Sequence, residues 1–171
     1  MRVEVEGSVQ TLNLGDVLSI VFVQSATDAS KNSRPVKLNP QAIAAVRDAL
    51  KALRKMAGAT EIGISFQEYG SRVIDAKADV EEALRQLPEG ELKTEIALAM
   101  DAYADASKAW NQMIRYDFML VDFEPGSSLQ KKYDIPVDTS LSSKMMRRTV
   151  VLSTIWAAAK SHIEKADALT N

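Results

Sequence analysis

From Pro40 onward, apolar residues recur at alternating steps of three and four, the spacing of one buried face on an α-helix. Ile43, Val46, Leu50 and Leu53 predict a first helix to about Ala57, with Asn39 as its cap and Pro40 in its first turn. Ile62, Phe66, Tyr69, Val73, Ala76, Val80, Ala83 and Leu87 predict a second. The stripe loses phase at Gly58. A break is therefore expected between Gly58 and Thr60, with Thr60 capping the second helix; one long bent helix is the alternative. Gly63 and Gly70 then fall on one side of the second helix, where they would admit a close neighbour or leave room for a ligand beside Tyr69. In LPEGE, residues 87–91, Pro88 stops the helix and Gly90 turns the chain. So short a link sets consecutive helices side by side and antiparallel.

The third segment is the most regular. Leu92, Ile96, Ala99, Tyr103, Ala106, Trp110 and Met113 form its seam, and large residues alternate with small ones as in interdigitating helices. Asp122 to Ser140 is rich in turn residues and predicts one long loop. The last helix is expected from about Ser140 to Leu169, with Met145, Thr149, Leu152, Trp156, Ala159, Ile163 and Ala166 as its seam.

The N-terminal pattern differs. RVEVE alternates like a strand, but no partner strand is evident, so residues 1–13 predict an extended arm. Leu14, Val17, Leu18, Val21 and Phe22 follow helical spacing, with a strand as the competing reading. Ser30 to Pro40 is a polar linker with two prolines. The expected organisation is an arm, short helix and linker over 1–39 and a helical bundle over 40–171, a single globular domain overall. The fold class is all-α: an antiparallel four-helix-bundle-like domain with a short N-terminal helix or arm and one long loop before the last helix. Its coiled-coil-like seams would bury themselves within one chain or across a dimer, so self-association is open.

Composition narrows the chemistry. Hydrophobic residues at 46 % and charged residues at 26 % fit a globular chain, and a net charge of −2 offers no bulk attraction to nucleic acid. The absence of cysteine removes disulfides, thiolate metal sites and cysteine nucleophiles. Val17 to Val23, VLSIVFV, is too short to span a bilayer. Glu4, Glu6 and Asp16 before and beside it argue against a signal peptide. A cytoplasmic protein is the default expectation, and a periplasmic or secreted one follows if a signal has been removed.

No phosphate loop, nucleophile elbow or zinc-protease motif occurs, so no catalytic residue, metal or cofactor is assigned. His162 is the sole histidine and cannot supply a di-iron or three-histidine site; ordinary boundary hydrogen bonds are expected of it. Asp75 with Asp79, and Asp101 with Asp105, are each one helical turn apart, and both pairs read as solvated faces. Lys144, Arg147 and Arg148, with Lys131 and Lys132 before them, form the local basic cluster and could receive an anion or an acidic partner; without an aromatic ladder they do not suggest nucleic acid. Tyr69, Tyr103, Trp110 and Trp156 are either core or the lining of an apolar ligand site. The function expected is a non-catalytic interaction or sensory module with a protein partner, and the alternative is a small-molecule binder between helices.

Overall fold

The computed structural model describes residues 2–5, 8–11, 39–140 and 143–170. Contacts divide the chain into two units, Met1–Lys37 and Leu38–Asn171. In the first, β1 (Arg2–Val5) pairs antiparallel with β2 (Ser8–Thr11), Val3 opposite Gln10 and Val5 opposite Ser8. The expected lone arm is thus corrected: RVEVE does have a partner, supplied by the residues immediately after it. The helix or strand expected over 14–28 lies outside the described residues.

The second unit is mostly helical. Helix α1 (Pro40–Ile62) starts as its sequence predicts: the Asn39 side chain accepts from the Ala42 N–H at 2.7 Å, and Pro40 occupies the first turn. It runs past the expected break. The Thr60 hydroxyl donates back to the Ala57 carbonyl at 2.9 Å, a bond compatible with a continuing helix, so Thr60 is no cap. The chain turns instead at Gly63, whose φ of 102° is open to glycine and strained for other residues. Ser65 then caps α2 (Phe66–Gln86) by accepting from the Glu68 N–H at 3.3 Å. Gly63 therefore ends α1 and is not a helix-interior residue. Neither it nor Gly70 has an atom within 4 Å of where a Cβ would stand, so neither admits a close neighbour.

After Pro88 and Gly90, α3 (Glu91–Gln112) buries Ile96, Ala99, Tyr103 and Ala106 of its expected seam, and Met113 just past its end; Leu92 and Trp110 are half-buried, and Ala102 and Ala109, outside that stripe, are buried too. The predicted long loop is structured. A short strand β3 (Phe118–Leu120) follows α3, then α4 (Gly126–Tyr133) after a cis Glu124–Pro125 peptide, then β4 (Met145–Arg147). β3 and β4 pair antiparallel with Phe118 opposite Arg147 and Met119 opposite Met146. Period-two alternation places Met119 and Met146 in the core and Phe118 and Arg147 at the surface. This pairing corrects the start of the last helix: α5 spans Arg148–Ala168, because residues 145–147 are held in a strand. Thr149, expected in its seam, is exposed, while Val151 and Ile155 are buried.

One core joins α1, α2, α3 and α5. They pack in a cycle, α1 on α2, α2 on α3, α3 on α5 and α5 back on α1, with a smaller contact between α1 and α3 across it. The most extensive of these interfaces is α3 with α5, and the buried residues of these two helices include Ala99, Ala102, Ala106 and Ala109 on α3 and Ala159 and Ala166 on α5. Small side chains shorten the interaxial distance and let the large residues between them fill the gaps. Ile43 and Ile62, counted in the predicted stripes, lie outside this core, Ile62 being 90 % exposed. Gly126 seats α4 on β3: a Cβ there would stand 2.0 Å from the Leu120 carbonyl oxygen, so only glycine fits this approach.

Candidate functional site

Tyr69 of α2, Trp110 of α3 and Trp156 of α5 meet in one cluster, with ring centroids at 5.5 Å for Tyr69–Trp110, 5.7 Å for Tyr69–Trp156 and 5.8 Å for Trp110–Trp156. Phe66 adds an edge contact to Trp110 at 5.8 Å. These are direct ring contacts in the tilted and edge-on arrangements that aromatic quadrupoles favour. The fully buried Tyr69 hydroxyl donates to the Tyr103 carbonyl at 2.9 Å and accepts from the Trp156 indole N–H at 3.0 Å. Three helices are thereby pinned through one oxygen.

Tyr103 differs. It enters the network through its carbonyl, and its own buried hydroxyl has no hydrogen-bond partner among the described residues. Burial raises the hydroxyl pKa of both tyrosines well above the ordinary range; at Tyr69 the Trp156 bond opposes that rise, and at Tyr103 the Glu61 charge adds to it. Tyr103 and Trp156 also line a groove of about 190 Å³ with Thr60 and Glu61 of α1 and Lys160 of α5. The Lys160 ammonium donates to Glu61 at 2.7 Å. A larger hollow of about 380 Å³ between α1 and α2 is walled by alanines and by side chains of both charges, including Asp48, Lys51, Lys55 and Asp79. No polar group in it is buried without a partner.

The basic residues do not converge. Arg148 pairs with Asp117 at 2.7 Å and donates to the Met113 carbonyl at 3.4 Å. Arg147 pairs with Asp138 at 3.2 Å. The Ser140 hydroxyl and backbone N–H, with Arg147 after them, push the Asp138 carboxyl down to about 2, so the pair stays ionised. Lys144 is exposed. Lys132 turns away to Asp105 at 2.7 Å, where the Tyr133 hydroxyl also donates at 2.9 Å. Asp105 is therefore corrected from a solvated carboxylate to the half-buried tie between α3 and α4. Burial raises its pKa, but the bonds from Lys132 and Tyr133 outweigh that and hold it below the ordinary value. Burial, more than the neighbouring carboxylate, pushes the Tyr133 hydroxyl up to about 12. Asp75 and Asp79 are exposed, as expected.

His162 bonds to Glu95 at 2.6 Å and so links α5 to α3, the boundary role expected of it. Among the described residues no group of three potential metal-ligating side chains comes together, and no helix is long and apolar enough to cross a membrane.

The feature that sequence reasoning passed over is a surface. Tyr116 and Phe118 stand 59 % and 38 % exposed with ring centroids 5.9 Å apart, and Ile114 and Phe123 of the same segment are also exposed. Two aromatics at alternate positions in a stretch without helical periodicity were the available signal. No protein-family model matches the chain, and none of the curated proteins or solved structures compared with it matches either.

Proposed function

We propose that this protein is a non-catalytic, antiparallel four-helix-bundle-like module that binds a protein partner through the end carrying β3 and β4. The cyclic packing of four long helices and the short links at 63–65 and 87–90 support the bundle. One observation carries the function. Phe118 and Arg147 lie directly opposite in the two-stranded sheet on its exposed side, and Tyr116 stacks beside Phe118. Aromatic residues and arginine dominate the energetics of protein interfaces, and an exposed aromatic on a paired strand, with a second ring packed against it from the bend before, loses less conformational entropy on binding. The core explains the other aromatics; nothing in the core explains these.

The test is a double variant, Tyr116→Ser with Phe118→Ser, checked for helicity by circular dichroism. Cross-linked complexes are recovered from native cells with wild type and variant, and self-association is followed by sedimentation velocity. Loss of two central aromatic anchors should weaken binding by about 30-fold or more. A complex or dimer retained at full strength by the folded variant overturns the proposal.

A further inference from the structure

The strand that carries Phe118 has an open edge. In an antiparallel pair only alternate residues exchange backbone hydrogen bonds, and their neighbours turn theirs away. Between β3 and β4 the bonded places are marked by the Arg148 N–H donating to the Asp117 carbonyl at 2.9 Å and the Val121 N–H to the Lys144 carbonyl at 3.0 Å. Met119 with Met146 is the bonded pair between them, so Phe118 and Leu120 point their N–H and C=O groups away from β4. The far edge of β4 is closed. Met145 exchanges two bonds with Asp138, at 2.8 and 3.2 Å, and the place opposite Arg147 falls to Pro136, which has no N–H. On β3, Gly126 of α4 closes over the Leu120 carbonyl. Phe118 keeps an outward N–H and C=O without a partner among the described residues. Phe118-Met119-Leu120 has neither the lysine nor the proline that guard natural edges against further pairing.

Two charges flank this edge. Arg115 and Asp122 are exposed, of opposite sign, and have no ion pair or hydrogen bond among the described residues. Building on the partner-binding role proposed above, we infer that the partner is a second copy of this chain, joined by antiparallel pairing of β3 with β3 about a two-fold axis at Phe118. The N–H and C=O of each Phe118 then bond those of the other, because antiparallel pairing satisfies both groups at one place. A two-fold axis sets one surface against itself, so every contact is made twice. Beyond the ladder it brings Tyr116 of each copy towards Leu120 of the other and Arg115 towards Asp122. Opposite charges on either side of the open position are what an antiparallel copy complements. The ladder is short, since the chain bends at Tyr116 and turns at Val121. The rings and the charges supply the rest, and the dimer is reversible.

Sedimentation velocity of the full-length protein, from dilute solution to its solubility limit, tests this with variants checked by circular dichroism. Wild type should dimerise reversibly. Arg115→Asp and Asp122→Arg should each self-associate at least about tenfold more weakly, since either change sets like charges together twice per dimer. Mixed in equal amounts, the two variants should recover the wild-type dimer, because each copy then meets the charge it lacks. Phe118→Pro removes the outward N–H without touching a bond between β3 and β4. It should dimerise at least about tenfold more weakly than Phe118→Ala, which loses the same ring. The charge variants decide alone should Phe118→Pro fail to fold. A wild type that stays monomeric throughout overturns the inference by itself; the partner-binding role is then judged on the complexes recovered with the Tyr116→Ser and Phe118→Ser double variant. A dimer indifferent to charge reversal, or one that mixing does not restore, also overturns the inference. A dimer that survives the double variant overturns both.

Discussion

Tyr69→Phe and Tyr103→Phe delete the same atom from two fully buried residues on adjacent helices, and the structure predicts opposite consequences. The Tyr69 hydroxyl makes two hydrogen bonds, one from Trp156 and one to the Tyr103 carbonyl. Each contributes about 0.5–1.5 kcal/mol net, and removing the oxygen also leaves the Trp156 indole N–H without its acceptor. Tyr69→Phe should therefore cost about 1–3 kcal/mol. For a domain of this size that is a fall in Tm of about 2–10 °C. Among the described residues the Tyr103 hydroxyl has no partner, so no bond is lost with it. Replacing it by hydrogen abolishes an unmet desolvation cost, so Tyr103→Phe should be neutral or more stable by up to about 1 kcal/mol. Tyr103→Phe keeps the backbone carbonyl that Tyr69 uses, so the double variant should equal the sum of the singles within about 0.5 kcal/mol. Urea unfolding followed by circular dichroism and by tryptophan fluorescence measures all three. Equal destabilisation by the two single variants would mean that both hydroxyls are hydrogen-bonded alike, against the difference between Tyr69 and Tyr103 described above.

Other outcomes follow from single features. Gly126→Ala puts a Cβ into the Leu120 carbonyl and should cost about 2–3 kcal/mol by displacing α4 from β3, visible as early proteolysis within residues 120–140. Gly63→Ala, at φ 102°, should cost about 1 kcal/mol, whereas Gly70→Ala, in open space on α2, should gain about 0.5–1 kcal/mol; the sign of each is read from urea midpoints. Asp105 has a folded-state pKa below its ordinary 3.8, so its stabilisation is complete above that value and lost as pH falls through the lowered one. Asp105→Asn should be less stable than wild type by about 1 kcal/mol at neutral pH, and the gap should close below about pH 4 in acid-unfolding curves. A constant gap across that range would mean that the Lys132–Asp105–Tyr133 contact does not hold α4.

What the chain determines by itself is helical phase. Steps of three and four place Val46, Leu50 and Leu53, then Tyr69, Val73 and Val80, then Ile96, Tyr103 and Ala106 in the core, because each helix buries its own apolar stripe whatever it meets. Asn39–Pro40 and Pro88–Gly90 mark ends for equally local reasons of capping and backbone geometry. The end of α1 was also local, in Gly63 and the Ser65-x-x-Glu68 spacing, but the loss of phase at Gly58 pointed too early. Tertiary structure decided the rest. Met145, Met146 and Arg147 have good helical propensity, yet they pair with Phe118 to Leu120, since a three-residue strand is too short to show its period and exists only where a partner meets it. Asp105 reads as a surface carboxylate until α4 folds over it. Tyr69 and Tyr103 are indistinguishable as seam residues in the sequence. One finds a partner on each side and the other none among the described residues, because hydrogen bonding depends on what the neighbouring helices place within about 3 Å, and no periodicity encodes that distance.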